Sequence, residues 1–191
     1  MNIEDVKKLY APERIVKTLT TKEYKDKYIN IDVTIKACRE CPNYSKNWSC
    51  PKFNFNPLDK WDKYDNIDLI LTKINFTSEA LKSSYNIEEL TSIVDNSLFL
   101  ERNKLLPELE EKEKQLNGKC LSAGFCTYCD ECSRITDKEC RFPDKCHNSI
   151  ESLGGLVADT LSGIFDEELK WIDIENGKLP TNLSLLMALL Y

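Results

Sequence analysis

The run Cys126-Thr127-Tyr128-Cys129-Asp130-Glu131-Cys132, followed by Cys140-Arg141-Phe142-Pro143, constrains this chain more than any other stretch. Three cysteines at successive three-residue steps, with a fourth close behind and a proline beyond it, gather four thiolates around one small volume. That is the layout of a cluster-binding loop. Thiolate sulfur selects zinc, Cu(I) or iron–sulfur clusters over magnesium or calcium. C-x2-C-x2-C also opens the loop of bacterial ferredoxins, whose cysteines reach different irons of a cuboidal cluster. The continuation departs from that pattern, because seven residues precede the fourth cysteine and Arg-Phe separates it from the proline. A ferredoxin fold therefore does not follow.

The chain has 191 residues, 41% of them hydrophobic, which is enough for one core and makes residues 1–191 a single domain by expectation. It holds nine cysteines, an odd and clustered set that fits metal binding better than a secreted disulfide scaffold. The N-terminus, from Met1 to Lys8, carries charges where a signal peptide needs an apolar core, and no apolar run is long enough to span a bilayer. The expectation is a soluble cytoplasmic protein with no membrane association. Its formal charge is −6, and lysines such as Lys22, Lys25 and Lys27 alternate with Glu23 and Asp26. Without a basic stripe, nucleic acid is not an expected partner. An acidic surface is ordinary solvated exterior, with a docking site for a basic redox partner as the alternative.

Apolar spacing predicts a short helix over residues 1–12 through Ile3, Val6 and Leu9/Tyr10, ended by Pro12. It predicts a strand over Arg14–Thr20, exposed surface over Lys22–Tyr28, and a strand or a helix start over Ile29–Ile35. Asn66–Phe76 has a dense apolar centre and reads as a buried strand. Asn86 is an N-cap with Glu89 at the third helical position, opening a long helix through Leu90, Ile93 and Leu98. Pro107 should kink or restart that helix, and its Glu108–Lys114 stretch, with Glu110 and Lys114 at i,i+4, reads as a solvated face. Asn117-Gly118 ends it. A short strand over Lys119–Ala123 then delivers Gly124 to the cysteine loop. Beyond lie a helical turn at Ser149–Leu153, a break at Gly154-Gly155, a helix from Val157 to Gly163, and strands over Leu169–Ile174 and Leu183–Tyr191. This order predicts an α/β (α+β) layer sandwich, a mixed and mostly antiparallel sheet with helices packed on it and cysteine-rich loops.

A second cysteine group precedes the first: Cys38-x2-Cys41-x8-Cys50, interspersed with Pro, Asn and Ser that favour irregular turns. Tyr44 and Trp48 lie within it as aromatic covers for a cofactor or as ordinary core residues. Cys38-x2-Cys41-Pro42-x-Tyr44-x3-Trp48-Ser49-Cys50-Pro51, then Ala123-Gly124-x-Cys126-x2-Cys129-x2-Cys132, Cys140-Arg141-Phe142-Pro143 and Ser149-Ile150-Glu151-x-Leu153-Gly154, resemble DUF2284, a family of predicted metal-binding proteins. The resemblance runs from about Cys38 to Val157. It implies metal binding through Cys38, Cys41, Cys50, Cys126, Cys129, Cys132 and Cys140, and supplies no reaction. Cys120 and Cys146 fall outside its pattern.

A closed tetrahedral zinc site usually takes two separated cysteine pairs, whereas an iron–sulfur cube spreads its ligands over four irons and suits close successive cysteines. The Cys126, Cys129, Cys132 and Cys140 group thus favours [4Fe–4S] over zinc. The Cys38, Cys41 and Cys50 group lacks a fourth thiolate. It either leaves one metal position for Cys120, Cys146, His147, water or a substrate, or borrows a cysteine to close a zinc site. Arg141 is placed to donate hydrogen bonds to a cluster or to pair with Glu139 or Glu151. His147, the single histidine, is a possible ligand or a surface residue, and Cys120 an ordinary buried thiol. Three functions are compatible with these residues. One is electron transfer through one or two clusters to a redox protein or small molecule. The second is an enzyme or cofactor-handling protein with an open metal at Cys38/Cys41/Cys50. The third is a structural zinc protein acting as an interaction module.

Overall fold

The apolar runs of the sequence meet in one sheet. The computed structural model describes all residues from Met1 to Tyr191. Its strands are β1 (Tyr10–Thr20), β2 (Asn66–Phe76), β3 (Lys119–Leu121) and β4 (Asn182–Leu190). They lie in the order β1-β2-β4-β3, and every neighbouring pair is antiparallel. Val16 faces Ile70, and Ile70 faces Met187. The inner strands β2 and β4 are covered on both faces, so their sequences are continuous apolar runs rather than alternating ones. β1 is an edge strand and mostly exposed.

That edge position corrects one expectation. The first helix, α1 (Ile3–Lys7), stops before Tyr10, and Pro12 lies inside β1 opposite Ile74. A proline cannot donate to a ladder, and an edge strand is where the loss is tolerated. A second correction concerns Lys22–Tyr28, which is not bare surface. It forms α2 (Thr21–Tyr28), because Thr20 and Glu23 make a reciprocal capping box. The helix turns Tyr24 inward, where it is fully buried against Trp61 with ring centroids 5.5 Å apart.

The remaining helices are α3 (Ile31–Glu40), α4 (Leu58–Trp61), α5 (Ser78–Lys82), α6 (Ile87–Leu116) and α7 (Val157–Phe165). In α6 the Asn86/Glu89 capping box starts the helix, Pro107 lies inside it without ending it, and Asn117 closes it in the left-handed conformation. Leu105 and Leu109 of α6 pack on the sheet face of Ile70, Leu185, Met187 and Leu189. Ile74, Phe76, Leu90 and Ile93 extend that layer. The opposite face, through Ile67, Leu69, Leu71, Leu186 and Ala188, packs on Tyr24, Trp61, Ile150, Leu153 and Leu161. Both faces of the sheet are thus covered, and the expected layer architecture is present with a wholly antiparallel sheet.

The strand expected over Leu169–Ile174 does not form. Trp171 is 77% exposed there, and the segment runs as a loop closed by an isolated bridge between Asp173 and Lys178. Its neighbour Glu167 is drawn instead to Lys73 of β2. At the Gly154-Gly155 break, Gly154 has φ +100 and a Cβ there would meet Ile31 at 2.8 Å. Only glycine lets the chain pass α3 so closely.

Candidate metal centre

β3 ends at Leu121, and residues 124–148 then form an irregular loop containing only two short 3-10 turns, Ser133–Thr136 and Pro143–Lys145. Cys126, Cys129, Cys132, Cys140 and Cys146 line one small cavity in this loop, about 20 Å³ in volume, together with Trp48, Tyr128, Arg141 and Phe142. None of the nine cysteines is in a disulfide. The Cys146 thiol donates to Cys126 and so lowers the Cys126 pKa to about 6, against the effect of burial and with help from the Tyr128 N–H and Arg102. Cys146 is pushed the opposite way, since Cys126 holds its proton and burial disfavours its charge. The fold therefore adds Cys146 to the four cysteines singled out by spacing. The sequence offers Cys146 only as a completing ligand for the first group, because it lies outside the C-x2-C-x2-C run.

The first cysteine group is built at the end of α3. Cys38 is in its last turn, and Cys41 caps it with a backbone N–H to the Cys38 carbonyl at 3.1 Å. Burial, with the nearby Cys50, Glu151 and Cys41, pushes the Cys38 thiol up to about 11. Cys50 is likewise raised by burial, and it senses both Cys41 and Cys126. Its neighbour Ser49, whose Oγ is 3.7 Å from the Cys50 sulfur, links it to the other group.

Polar bonds to the backbone hold the two loops together. Ser49 Oγ accepts from the Cys126 N–H at 2.9 Å, and Asn47 Nδ2 donates to the Cys126 carbonyl at 2.8 Å. Asn148 Nδ2 donates to the Ser49 carbonyl at 3.0 Å. Arg134 donates to the carbonyls of Asn47 at 2.8 Å and Cys50 at 2.6 Å, and also to that of Lys52. Its guanidinium lies over the Trp48 ring, 5.0 Å from the centroid. Trp48 itself donates from Nε1 to the Lys138 carbonyl at 3.0 Å. From the other side, Arg102 of α6 donates to the Phe125 carbonyl at 3.1 Å and Thr127 Oγ1 at 2.6 Å.

Trp48 is therefore beside the cysteine cavity, whereas Tyr44 lies in a separate depression with Cys38, Pro51 and Phe53. Arg141 borders the cavity but spends its guanidinium on the Glu131 carbonyl at 2.8 Å, not on Glu139 or Glu151. Arg102 and Arg134 were not legible as site residues, because their partners are mainly backbone carbonyls and no residue spacing records those.

Cys38 and Cys41 also border a broad groove of about 1210 Å³, walled by Val33, Val94, Leu98, Leu156 and Leu185 among others. Glu151 lines it too, with a buried Oε2 that has no hydrogen-bond partner. Burial holds that carboxyl above its ordinary range. His147 lines a different cavity from Cys38 and Cys41. Its ring is buried, with Nε2 3.0 Å from Glu110 Oε1. The stretch of α6 read as solvated thus turns Glu110 inward. Glu113, Cys120 and His147 bring their ligand atoms within 4.8 Å of one another, an arrangement that could hold a metal ion.

Thiol-rich and mixed donor sets of this kind bind soft or borderline metals. No helix is long and apolar enough to cross a membrane. No curated protein and no solved structure matches the chain. A family model does match, over residues 24–189 and so across both cysteine groups: the chain belongs to DUF2284, described as predicted metal-binding proteins.

Proposed function

We propose that this chain is an iron–sulfur protein with a redox role, binding [4Fe–4S] through Cys126, Cys129, Cys132 and Cys140, with a second metal position at Cys38, Cys41 and Cys50. One observation carries the reading: five thiols line a single cavity, and the other group is tied to it where Ser49, next to Cys50, accepts from the Cys126 N–H. A tetrahedral zinc ion and a cube each take four sulfurs, but the cube spreads them over four irons, which suits close successive cysteines. A cube takes four ligands at wider spacing and leaves the fifth thiol, Cys146, as a hydrogen-bond donor to its neighbour. The present space is that of one water-sized sphere and holds no cube as it stands, so cluster binding requires the lining cysteines to move apart.

A bound cluster supplies one-electron transfer. The chain's own residues set its surroundings. Trp48, Tyr128 and Phe142 limit water at the sulfurs, and the Tyr128 and Phe142 rings lie 5.6 Å apart over the loop. Arg102 and Arg134 bring positive charge beside thiolates, and backbone N–H groups hold the ligand loops in place. Both tune a redox centre.

The groove beside Cys38 and Cys41 supports a second reading, in which a small apolar molecule meets an incompletely ligated metal there. Anaerobic reconstitution separates the possibilities. About four irons and four sulfides per cluster, with visible absorbance bleached by dithionite and lost in Cys126→Ser and Cys129→Ser, is the expected result. A colourless protein with zinc in the cysteine loops would overturn it.

A further inference from the structure

Glu113, Cys120 and His147 lie outside both cysteine groups, where α6 ends and β3 begins. Glu110 and Glu113 are three residues apart and share one side of the last turns of α6. The left-handed cap at Asn117 reverses the chain, so that Cys120 of β3 returns along this turn and its N–H donates to Glu113 Oε2 at 2.6 Å. His147 arrives from a segment pinned beside β3, since the Ser122 N–H donates to the Asn148 carbonyl at 2.9 Å and Ser122 bridges Ser149. Each of the three side chains is thus placed by backbone structure.

The histidine ring is the telling part. Its side chain is 2% exposed, and Nε2 lies 3.0 Å from Glu110 Oε1. A carboxylate only accepts, so the proton between them belongs to Nε2 and the neutral ring keeps a lone pair on Nδ1. Nδ1 is buried with no hydrogen-bond partner, and Glu113 Oε2 is 3.6 Å away, too far for a hydrogen bond. The Cys120 sulfur completes the triangle within 4.8 Å. The Nδ1 lone pair, the Cys120 sulfur and Glu113 Oε2 thus converge on one small volume, and the buried ring nitrogen is left unpaired unless a cation joins it. Histidines that ligate metals give their other N–H to a carboxylate, as His147 does.

We propose that Glu113, Cys120 and His147 bind one zinc-class divalent ion, at a site separate from the cysteine loops and independent of whether those loops carry a cluster. Sulfur, imidazole nitrogen and carboxylate oxygen together suit zinc and do not suit magnesium or calcium. Binding forms the bond from metal to Cys120 Sγ and releases the thiol proton to solvent. One dication, one thiolate and one carboxylate make a neutral ligand set, beside the Lys119 and Lys145 cations and the Glu110 carboxylate. Lys119 Nζ lies 3.1 Å from Glu113 Oε1 and leaves Oε2 to face the ion. His147 and Glu110, though neither Glu113 nor Cys120, also line a cavity of about 380 Å³ with Arg102, Ser122 and Lys145.

The test uses the intact chain, anaerobically reconstituted with iron and sulfide, then incubated with zinc and desalted. Zinc and iron are counted, and X-ray absorption at the zinc edge reports the ligand shell. The expected result is one zinc with a single sulfur and nitrogen or oxygen neighbours. Cys120→Ser and His147→Gln should each lose that one equivalent with iron unchanged. No retained zinc, a shell of three or four sulfurs only, or unchanged zinc in both variants would overturn the proposal. Should both variants fail to fold, Glu113→Gln decides, because its amide oxygen still accepts from the Cys120 N–H. At least tenfold weaker zinc binding is expected there, and unchanged affinity overturns the site. The zinc count falls by one equivalent in these variants whatever the cysteine loops hold, so a failure here is distinct from a failure of the cluster reading.

Discussion

Arg134 spans the two cysteine loops with hydrogen bonds to three carbonyls of the first loop and a face-on contact with Trp48. Hydrogen bonds from a charged donor contribute about 1.5–3 kcal/mol each when buried, less where solvent reaches them. Arg134→Ala should therefore cost about 2–3 kcal/mol in urea unfolding and lower the metal content of the purified protein. Arg134→Lys keeps the charge but not the fork, and should recover less than half of the loss. A variant with wild-type metal content and urea midpoint would show that the loops are joined by other means. Cys126, Cys129, Cys132 and Cys140 were legible because ligand spacing is written locally along the chain. Glu110 and Glu113 were not, since they meet His147 and Cys120 only when α6 and β3 fold back on each other, and Cys146 and His147 were legible only as completing ligands for the first cysteine group.

Asn66–Phe76 and the Asn86/Glu89 cap were readable for the same local reason: a dense apolar run and a reciprocal cap are properties of one segment. The α2 cap, Thr20 with Glu23, carried the same signature and was masked by the charges of Lys22–Lys27. Pro107 shows how tertiary packing overrides a local rule. Leu105 and Leu109 on either side are buried against the sheet and carry the helix through the proline. A proline inside a helix costs up to about 3 kcal/mol. Pro107→Ala should accordingly stabilise the protein by about 1–3 kcal/mol, measured as a raised urea midpoint, and a lowered midpoint would mean that the proline itself is packed to advantage. Glu167 sets the failed strand apart in the same way. Burial pushes its carboxyl up, but hydrogen bonds from Lys73 and Asn182 and the charges of Lys73 and Lys170 win and hold it below its ordinary value. A depressed carboxylate stabilises the fold above its unfolded pKa of about 4.3, and that stability is lost as pH falls through the lower folded value. Glu167→Gln should be less stable by about 1–2 kcal/mol at neutral pH, with the difference closing in acid below about pH 4. A gap that persists there would assign the loss to packing.

At the scale of the molecule, the sheet and the cysteine loops are held by different forces. Between Ser122 and Ser149 only Ala123 packs on any of the three apolar clusters, and no residue from Lys36 to Lys52 does. The sheet, by contrast, is buried on both faces through Leu69, Leu71, Leu186 and Met187. Segments with few buried apolar contacts open locally at low free energy, while core strands open only with global unfolding. A metal bound to the loop cysteines therefore contributes its binding energy to loop order more than to the sheet. Stripping metal with a chelator under reducing, anaerobic conditions should leave far-UV circular dichroism nearly unchanged. It should also make residues 124–148 and 41–52 at least tenfold more sensitive to limited proteolysis, with amide exchange in β2 and β4 still slow. Loss of protection in β2 and β4 together with the loops would mean instead that the metal centres and the sheet form one cooperative unit.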